Sequence, residues 1–398
     1  MDLKVIPGKL SGRVSVVPSK SQAHRYLICA AFADRKTMLH CPESNRDMEA
    51  TVACLGALGA EILRTESGYL VTPVSQVPAK ALLPCGESGS TLRFLLPVVG
   101  ALGVDAVFQM HGRLAERPLS PLWEEMERMG CQLSFPEKTT LRCRGKLQPG
   151  TYTIDGSVSS QFLSGLLFAA ALMPGTSHIT ITGRLASRPY VEMTRKAMEQ
   201  FGRSTSNLTV TGGYPFVSPG SLSIEGDWSN GAFFLAANAL GSRILIDNLS
   251  ESSPQGDKAV GNLLAQLNNH CTISADDIPD LIPILSVVAA CRQGAAFTNI
   301  QRLRLKESNR VDTILAMLRS LGGKAEATDD TLTVFGTGLT GGCVDCANDH
   351  RIAMSAAIAA TVCQNPVILL GAECVEKSYP RFFAEYRKLG GNYEQYIR

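Results

Sequence analysis

The sequence predicts an α/β protein built by duplication, with six similar units, three in each half. Three observations predict it. A helix-like stretch closing on an apolar residue and then Gly or Asn recurs at 55–59, 126–130, 198–202, 264–268, 318–322 and 386–390. Gly59, Gly130, Gly202, Gly322 and Gly390, with Asn268 in the fourth copy, stand where a left-handed C-cap closes a helix. The copies lie mostly roughly seventy residues apart, too far for a solenoid repeat and right for a compact α/β unit. Alternating segments such as Leu332-Thr333-Val334-Phe335 and Tyr152-Thr153-Ile154 fill the intervals as strands. Helices commonly end this way, so spacing alone also allows six unrelated helices.

Composition narrows the class. A chain of 398 residues holds two or more domains and a large core. With 45% hydrophobic and 19% charged residues and 2 Trp, it reads as an ordinary globular protein. A net charge of +2 excludes bulk nucleic-acid binding, so affinity for anions must come from locally focused Lys and Arg. The segment 1–7 has neither an apolar signal core nor Arg-rich transit character. The apolar stretches 162–174 and 352–363 stop too soon to span a bilayer. A cytoplasmic protein with no membrane partner is expected. The 12 Cys are expected to be reduced and buried as small hydrophobes. Cys343-Val344-Asp345-Cys346, with His350 following, lacks the second paired cluster of a metal site, and Val344 fits an alternating strand.

Three strings bring cations together with acids or hydroxyls: Pro18-Ser19-Lys20-Ser21-Gln22-Ala23-His24-Arg25, Leu305-Lys306-Glu307-Ser308-Asn309-Arg310 and Asn348-Asp349-His350-Arg351. They suit a site that gathers phosphorylated small molecules and moves protons. Lys20 and Ser21 open a helix expected over 22–33, whose first N–H groups favour anions. The Gly-rich string Gly86-Glu87-Ser88-Gly89-Ser90-Thr91-Leu92-Arg93 lacks the Lys of a nucleotide P-loop. Gly89 reads there as a point where backbone must approach a ligand closely, or as a plain turn residue. Asp280, after Ile278-Pro279, is by itself equally a helix N-terminal carboxylate. Glu307 is by itself equally a solvated surface charge.

In their order, these strings resemble the 5-enolpyruvylshikimate-3-phosphate synthases of the enolpyruvyl transferase family. The resemblance extends through Glu116-Arg117-Pro118-Leu119, Asp155-Gly156-Ser157-Val158-Ser159-Ser160-Gln161, Ser187-Arg188-Pro189-Tyr190, Glu225-Gly226-Asp227, Ile278-Pro279-Asp280 and Lys377, over nearly the whole chain. It implies a two-domain inside-out α/β barrel of six βαβαββ units, three per domain, helices buried and sheets outside. The domains would be 1–18 with 227–398, and 19–226, with the active site in the cleft between them. It also implies a reaction, transfer of the enolpyruvyl group of phosphoenolpyruvate to the 5-hydroxyl of shikimate 3-phosphate with release of phosphate. The resemblance implies no metal or organic cofactor, and a monomer is expected.

Residue roles follow by the same resemblance. Shikimate 3-phosphate would meet Lys20, Ser21, Arg25, Ser159, Ser160, Gln161, Ser187, Tyr190, Asp280 and Lys306. Phosphoenolpyruvate would meet Lys20, Gly89, Arg117, Gln161, Arg310, Arg351 and Lys377. Arg suits these carboxylates and phosphates because its fork binds two oxygens at once. Asp280 would take the proton of the 5-hydroxyl, and Glu307 would serve as acid and base at the methylene carbon, with Lys20 beside them in catalysis. The chain departs from the family pattern at His24, Glu87, Phe94, Arg302 and Asn309, none of them an assigned Lys, Arg or carboxylate. A sibling activity, transfer to UDP-N-acetylglucosamine, would require a Cys in the loop before Arg117-Pro118, and 112–118 contains none. A non-catalytic anion-binding relative would have lost Asp280 or Glu307.

Overall fold

The computed structural model describes residues 1–397. The chain divides into two compact units, one formed by 1–17 with 226 onward, the other by 18–225. Each has its own apolar core.

Six sheets carry the strands. In 18–225, Lys80–Gly86 pairs in parallel with Asp105–Met110, which pairs antiparallel with Thr140–Gly145, and that strand with Cys131–Glu137. The same ladder joins Ser221–Ser223, Thr37–His40, Gly68–Thr72 and Glu61–Thr65. The third sheet, Thr151–Asp155, Gly175–Thr182 and Thr209–Gly212, is one strand shorter. In the other unit the full ladder recurs over Cys271–Ser274, Ala295–Thr298, Thr331–Phe335 and Lys324–Ala327. It recurs again over Gly342–Asp345, Val367–Leu370, Leu3–Ile6 and Asn392–Gln395. Arg243–Ile246 and Ser11–Val14 form a parallel pair alone.

The two helices of each repeat differ in kind. The first is buried nearly all round: Lys20–Ala31, Gly89–Leu102 and Ser160–Leu172 in one unit, Trp228–Ala239, Ile282–Ala290 and His350–Ala359 in the other. A helix apolar on every side is stable only inside a core, which is why the helices lie within and the half-exposed strands without. Five of the six begin behind a polar residue whose side chain accepts a backbone N–H of the first turn: Ser19, Ser88, Ser159, Asp227 and Asp349. The second helix is amphipathic, as in Arg188–Gln200 and Arg310–Ser320.

The C-terminal signals stand where the sequence put them, with one exception. Gly59, Gly130, Gly202, Gly322 and Gly390 adopt φ of 103°, 111°, 69°, 84° and 90°. Asn268 does not enter the left-handed region; its N–H bonds the carbonyl of Ala265 in a tighter turn. The helix expected over 22–33 runs instead over Lys20–Ala31, because Ser19 caps it two residues earlier and Ala33 leaves it to bridge Phe216. Of the thiols, nine are buried, and Cys343 is the one exposed. Cys343 faces out of its strand while Cys346 is buried next to Cys374, so the two do not converge.

Candidate active site

Most of the residues singled out above gather at or beside helix N-termini, in one group within each unit; Arg117 and Lys377 instead stand at the far ends of short helices. In 18–225, Lys20 is the first residue of its helix and places Nζ 2.9 Å from Asp47 Oδ2. Arg25, one turn on, is 2% exposed. Its Nη1 donates to the Ser21 carbonyl at 2.5 Å, Nε to Thr194 Oγ1 at 2.8 Å, and Nη2 to the Tyr190 carbonyl at 2.8 Å. Burial pulls its pKa down to about 10, which leaves it charged at neutral pH. Ser21, Arg25 and Tyr190 therefore form one cluster, with Ser187 held at φ 55° at the head of the Tyr190 helix. Left-handed Ser costs energy that the surrounding fold must supply.

Gly89 begins the next buried helix. A Cβ there would stand 2.6 Å from Arg117 Nη1 and 2.8 Å from Arg93 Nη1. Two guanidiniums thus lie on the helix end at Gly89, where the sequence predicts close approach of backbone to a ligand. Arg93 Nη1 donates to Gln161 Oε1 at 3.2 Å, and Gln161 Nε2 donates to Ser90 Oγ at 3.0 Å. Those bonds tie the start of Gly89–Leu102 to Ser159, Ser160 and Gln161 at the start of Ser160–Leu172. Beside them His24 Nδ1 meets Thr51 Oγ1 at 2.7 Å, and Thr51 meets Thr91 at 2.7 Å. Burial lowers the His24 pKa to about 3, so this imidazole is neutral.

The second group centres on Arg310, 1% exposed. Its Nη1 donates to Asp280 Oδ1 at 2.6 Å, Nη2 to Glu307 Oε2 at 2.7 Å, and Nε to Asp349 Oδ2 at 2.9 Å. Lys306 Nζ and Arg351 Nη2 stand 3.7 and 3.6 Å from Asp280. Burial opposes the charge of Asp280, but Lys306, Arg351 and Arg310 outweigh it and hold the carboxyl well below its ordinary range. Burial likewise lowers Lys306 to about 8, against the pull of Asp280. Lys377 closes a short helix, Ala372–Lys377, and donates to the Asn348 carbonyl at 2.9 Å. Ala347 and Asn348, at φ 50° and 53°, turn the chain there into the Asp349 cap.

Each expected site residue therefore falls in one of the two groups. Four contributors escaped the sequence reading: Asp47, Arg93, Asp257 and the ion-pairing role of Asp349. Asp349, wholly buried, caps its helix through Arg351 N–H and also accepts from Arg310 and from Ser308 Oγ at 2.9 Å. Asp257 accepts the Ser229 hydroxyl, and the Ser229 carbonyl accepts from Arg351 Nη1 at 3.0 Å. A single Asp in the turn-like run Pro254-Gln255-Gly256-Asp257 carries no signal of such a contact.

Chemically, each group offers cations at helix N-termini, the setting that favours phosphate and carboxylate. The second adds two partly exposed carboxylates, Asp280 and Glu307, with side chains 21% and 25% exposed, both touching one guanidinium.

Comparison with known proteins agrees with this chemistry. A family model described as EPSP synthase (3-phosphoshikimate 1-carboxyvinyltransferase) matches residues 5–277 and 270–386. The chain is 36% identical to the 3-phosphoshikimate 1-carboxyvinyltransferase of Clostridium botulinum (strain Alaska E43 / Type E3), over 99% of this chain and 98% of that one. It is 36% identical to the enzyme of that name from Clostridioides difficile (strain 630), with the same coverage. Two structures of EPSP synthase from Acinetobacter baumannii share the fold, with TM-scores of 0.79 and 0.80 over 99% and 100% of this chain, at 23% and 22% identity. Matched along almost its entire length at more than a third identity, the chain belongs to the EPSP synthase family.

Proposed function

We propose that this protein transfers the enolpyruvyl group of phosphoenolpyruvate to the 5-hydroxyl of shikimate 3-phosphate, releasing inorganic phosphate. The reaction belongs to the shikimate pathway, towards chorismate and the aromatic amino acids. One observation carries the reading: family membership over the full chain, with Asp280, Glu307 and the cations around them present and mutually bonded.

The chemistry follows from that arrangement. The 5-hydroxyl oxygen attacks C2 of phosphoenolpyruvate while Glu307 protonates its methylene carbon, giving a tetrahedral adduct. Asp280 takes the hydroxyl proton and gives it up to the departing phosphate or to solvent, which restores the carboxylate. Glu307 then removes a proton from the new methyl as the C–O bond to phosphate breaks, restoring the double bond. In the free protein Asp280 is a weak base, because three cations hold it as an anion. A substrate carboxylate drawn to Arg310 and Arg351 shares their charge and so raises the basicity of Asp280. Lys20, Arg117 and Lys377 with Gly89 receive phosphoenolpyruvate; Ser21, Arg25, Ser159, Ser160, Gln161, Ser187 and Tyr190 receive shikimate 3-phosphate, with Lys306 beside Asp280. All these groups come from one polypeptide, so a monomer suffices. Among the described residues the thiols are free and no helix is long and apolar enough to cross a membrane, which supports placing the reaction in the cytoplasm.

The test is phosphate release requiring both substrates, with UDP-N-acetylglucosamine as control acceptor. Release with the control and none with shikimate 3-phosphate would overturn the reading. Glu307→Gln and Asp280→Asn should each lower kcat by ~10²–10⁴ while substrate binding by calorimetry is largely kept; near-normal kcat in both would remove them from the chemistry.

A further inference from the structure

Arg310 and Arg351 are both buried, yet they are held very differently. Arg310 is clamped by three carboxylates. Arg351, 2% exposed, makes one guanidinium hydrogen bond among the described residues, from Nη1 to the Ser229 carbonyl at 3.0 Å. Its Nη2 stands 3.6 Å from Asp280, its Nε has no partner, and its Cζ lies 5.9 Å from the centre of the Phe233 ring. The direction of Arg351 therefore depends on where Ser229 holds its carbonyl.

Ser229 lies in the first turn of Trp228–Ala239, and the loop 253–257 clasps that turn at two points. Gln255 Oε1 accepts the Trp228 N–H at 3.0 Å while its Nε2 donates to the Gly226 carbonyl at 2.9 Å. Asp257 Oδ2 accepts the Ser229 hydroxyl. Asp257 is 3% exposed and Ser229 7%, so water competes little for that bond.

We propose that Asp257 is a positioning residue for phosphoenolpyruvate: its carboxylate fixes the Ser229 turn, and through the Ser229 carbonyl aims Arg351 past Asp280. This rests on the function proposed above. Asp257 touches no reacting atom, so its loss falls on the substrate that Arg351 receives.

The experiment is steady-state kinetics of the full chain with each substrate varied in turn, for wild type, Asp257→Ala, Asp257→Asn, Ser229→Ala and the double variant Asp257→Ala/Ser229→Ala. Asp257→Ala should raise KM for phosphoenolpyruvate on the order of tenfold, the loss expected for one hydrogen bond to a charged group. KM for shikimate 3-phosphate and kcat should stay within about twofold. Asp257→Asn keeps an acceptor oxygen for the Ser229 hydroxyl and should recover most of the loss. Ser229→Ala, which leaves the carbonyl in place, should reproduce the shift, and the double variant should be no worse than either single one. Equal rises in both KM values, unchanged KM in Asp257→Ala and Ser229→Ala, or additive effects in the double variant would overturn the assignment. If Asp257→Ala does not fold, Ser229→Ala and Asp257→Asn decide it. A wild type without turnover would instead strike the proposed reaction itself, and this inference with it.

Discussion

Arg310 already has its partners before any substrate arrives, and that fact organises the residue scale. Asp280, Glu307 and Asp349 share its charge, so the site holds three carboxyl groups close together around one guanidinium. Lys306 is the cation there whose charge is conditional. Burial brings its pKa to about 8, so above that pH the free protein loses an ammonium beside Asp280 and anionic substrates bind less well. The expected result is a fall in kcat/KM above about pH 8, moved to higher pH in Lys306→Arg, whose guanidinium stays charged. Stability responds with the opposite sign. An unfolded Lys keeps its proton up to 10.5, so between about 8 and 10.5 the unfolded chain binds more protons and the folded state gains stability as pH rises. Gly89 gives a second prediction. In Gly89→Ala the new Cβ would collide with the far ends of Arg117 and Arg93, which can swing away. The fold should survive, with KM for phosphoenolpyruvate raised more than KM for shikimate 3-phosphate; the reverse order would exchange the two subsites. At this scale the cations could be named from the sequence because the strings around them are distinctive. Their partners could not: Asp349 meets Arg310, and Asp257 meets Ser229, across 39 and 28 residues of chain. Only folding makes those neighbours.

Elements explain why residues so far apart in the sequence converge. The first helix of a repeat is buried nearly all round and, in five of the six, starts behind a polar cap, so its N-terminus emerges at a polar end of the core. Lys20, Gly89, Gln161, Ser229 and Arg351 all occupy such first turns, and Asp280 lies just before Ile282–Ala290. The repeat was legible because a Gly that must turn left-handed leaves a mark in the sequence. The start of the first buried helix was misplaced because Ser19, a cap, looked like part of a binding string. Asn268 was misread because Asn tolerates the left-handed region without requiring it. The glycines can be ranked. Gly390→Ala meets no atom within 4 Å and should cost only the left-handed backbone penalty, about 1–2 kcal/mol. Gly202→Ala adds a Cβ 2.9 Å from Val217 Cβ at an exposed turn and should cost about 1 kcal/mol more, the low end of overpacking because surface atoms can shift. Denaturant midpoints of the two variants would show this order, and equal losses would refute it.

For the whole molecule, the main fact is that each unit carries its own core. The segment 18–225 is continuous in sequence and includes three sheets with their helices. Expressed alone it should unfold in one cooperative denaturant transition, and a broad, non-cooperative melt would contradict its independence. It should show no turnover, since Asp280, Glu307 and Arg310 lie outside it.

The other unit is assembled from both ends of the chain. Leu3–Ile6 is a middle strand, hydrogen-bonded on one side to Val367–Leu370 and on the other to Asn392–Gln395. A polypeptide emerging from the ribosome presents that strand long before either of its neighbours. At the ~5–20 residues per second of synthesis, Leu3–Ile6 waits tens of seconds with both edges bare while 18–225 can already fold. An unpaired apolar strand is a site for wrong pairing, and Lys4 within it leaves one charge to discourage such pairing during the wait.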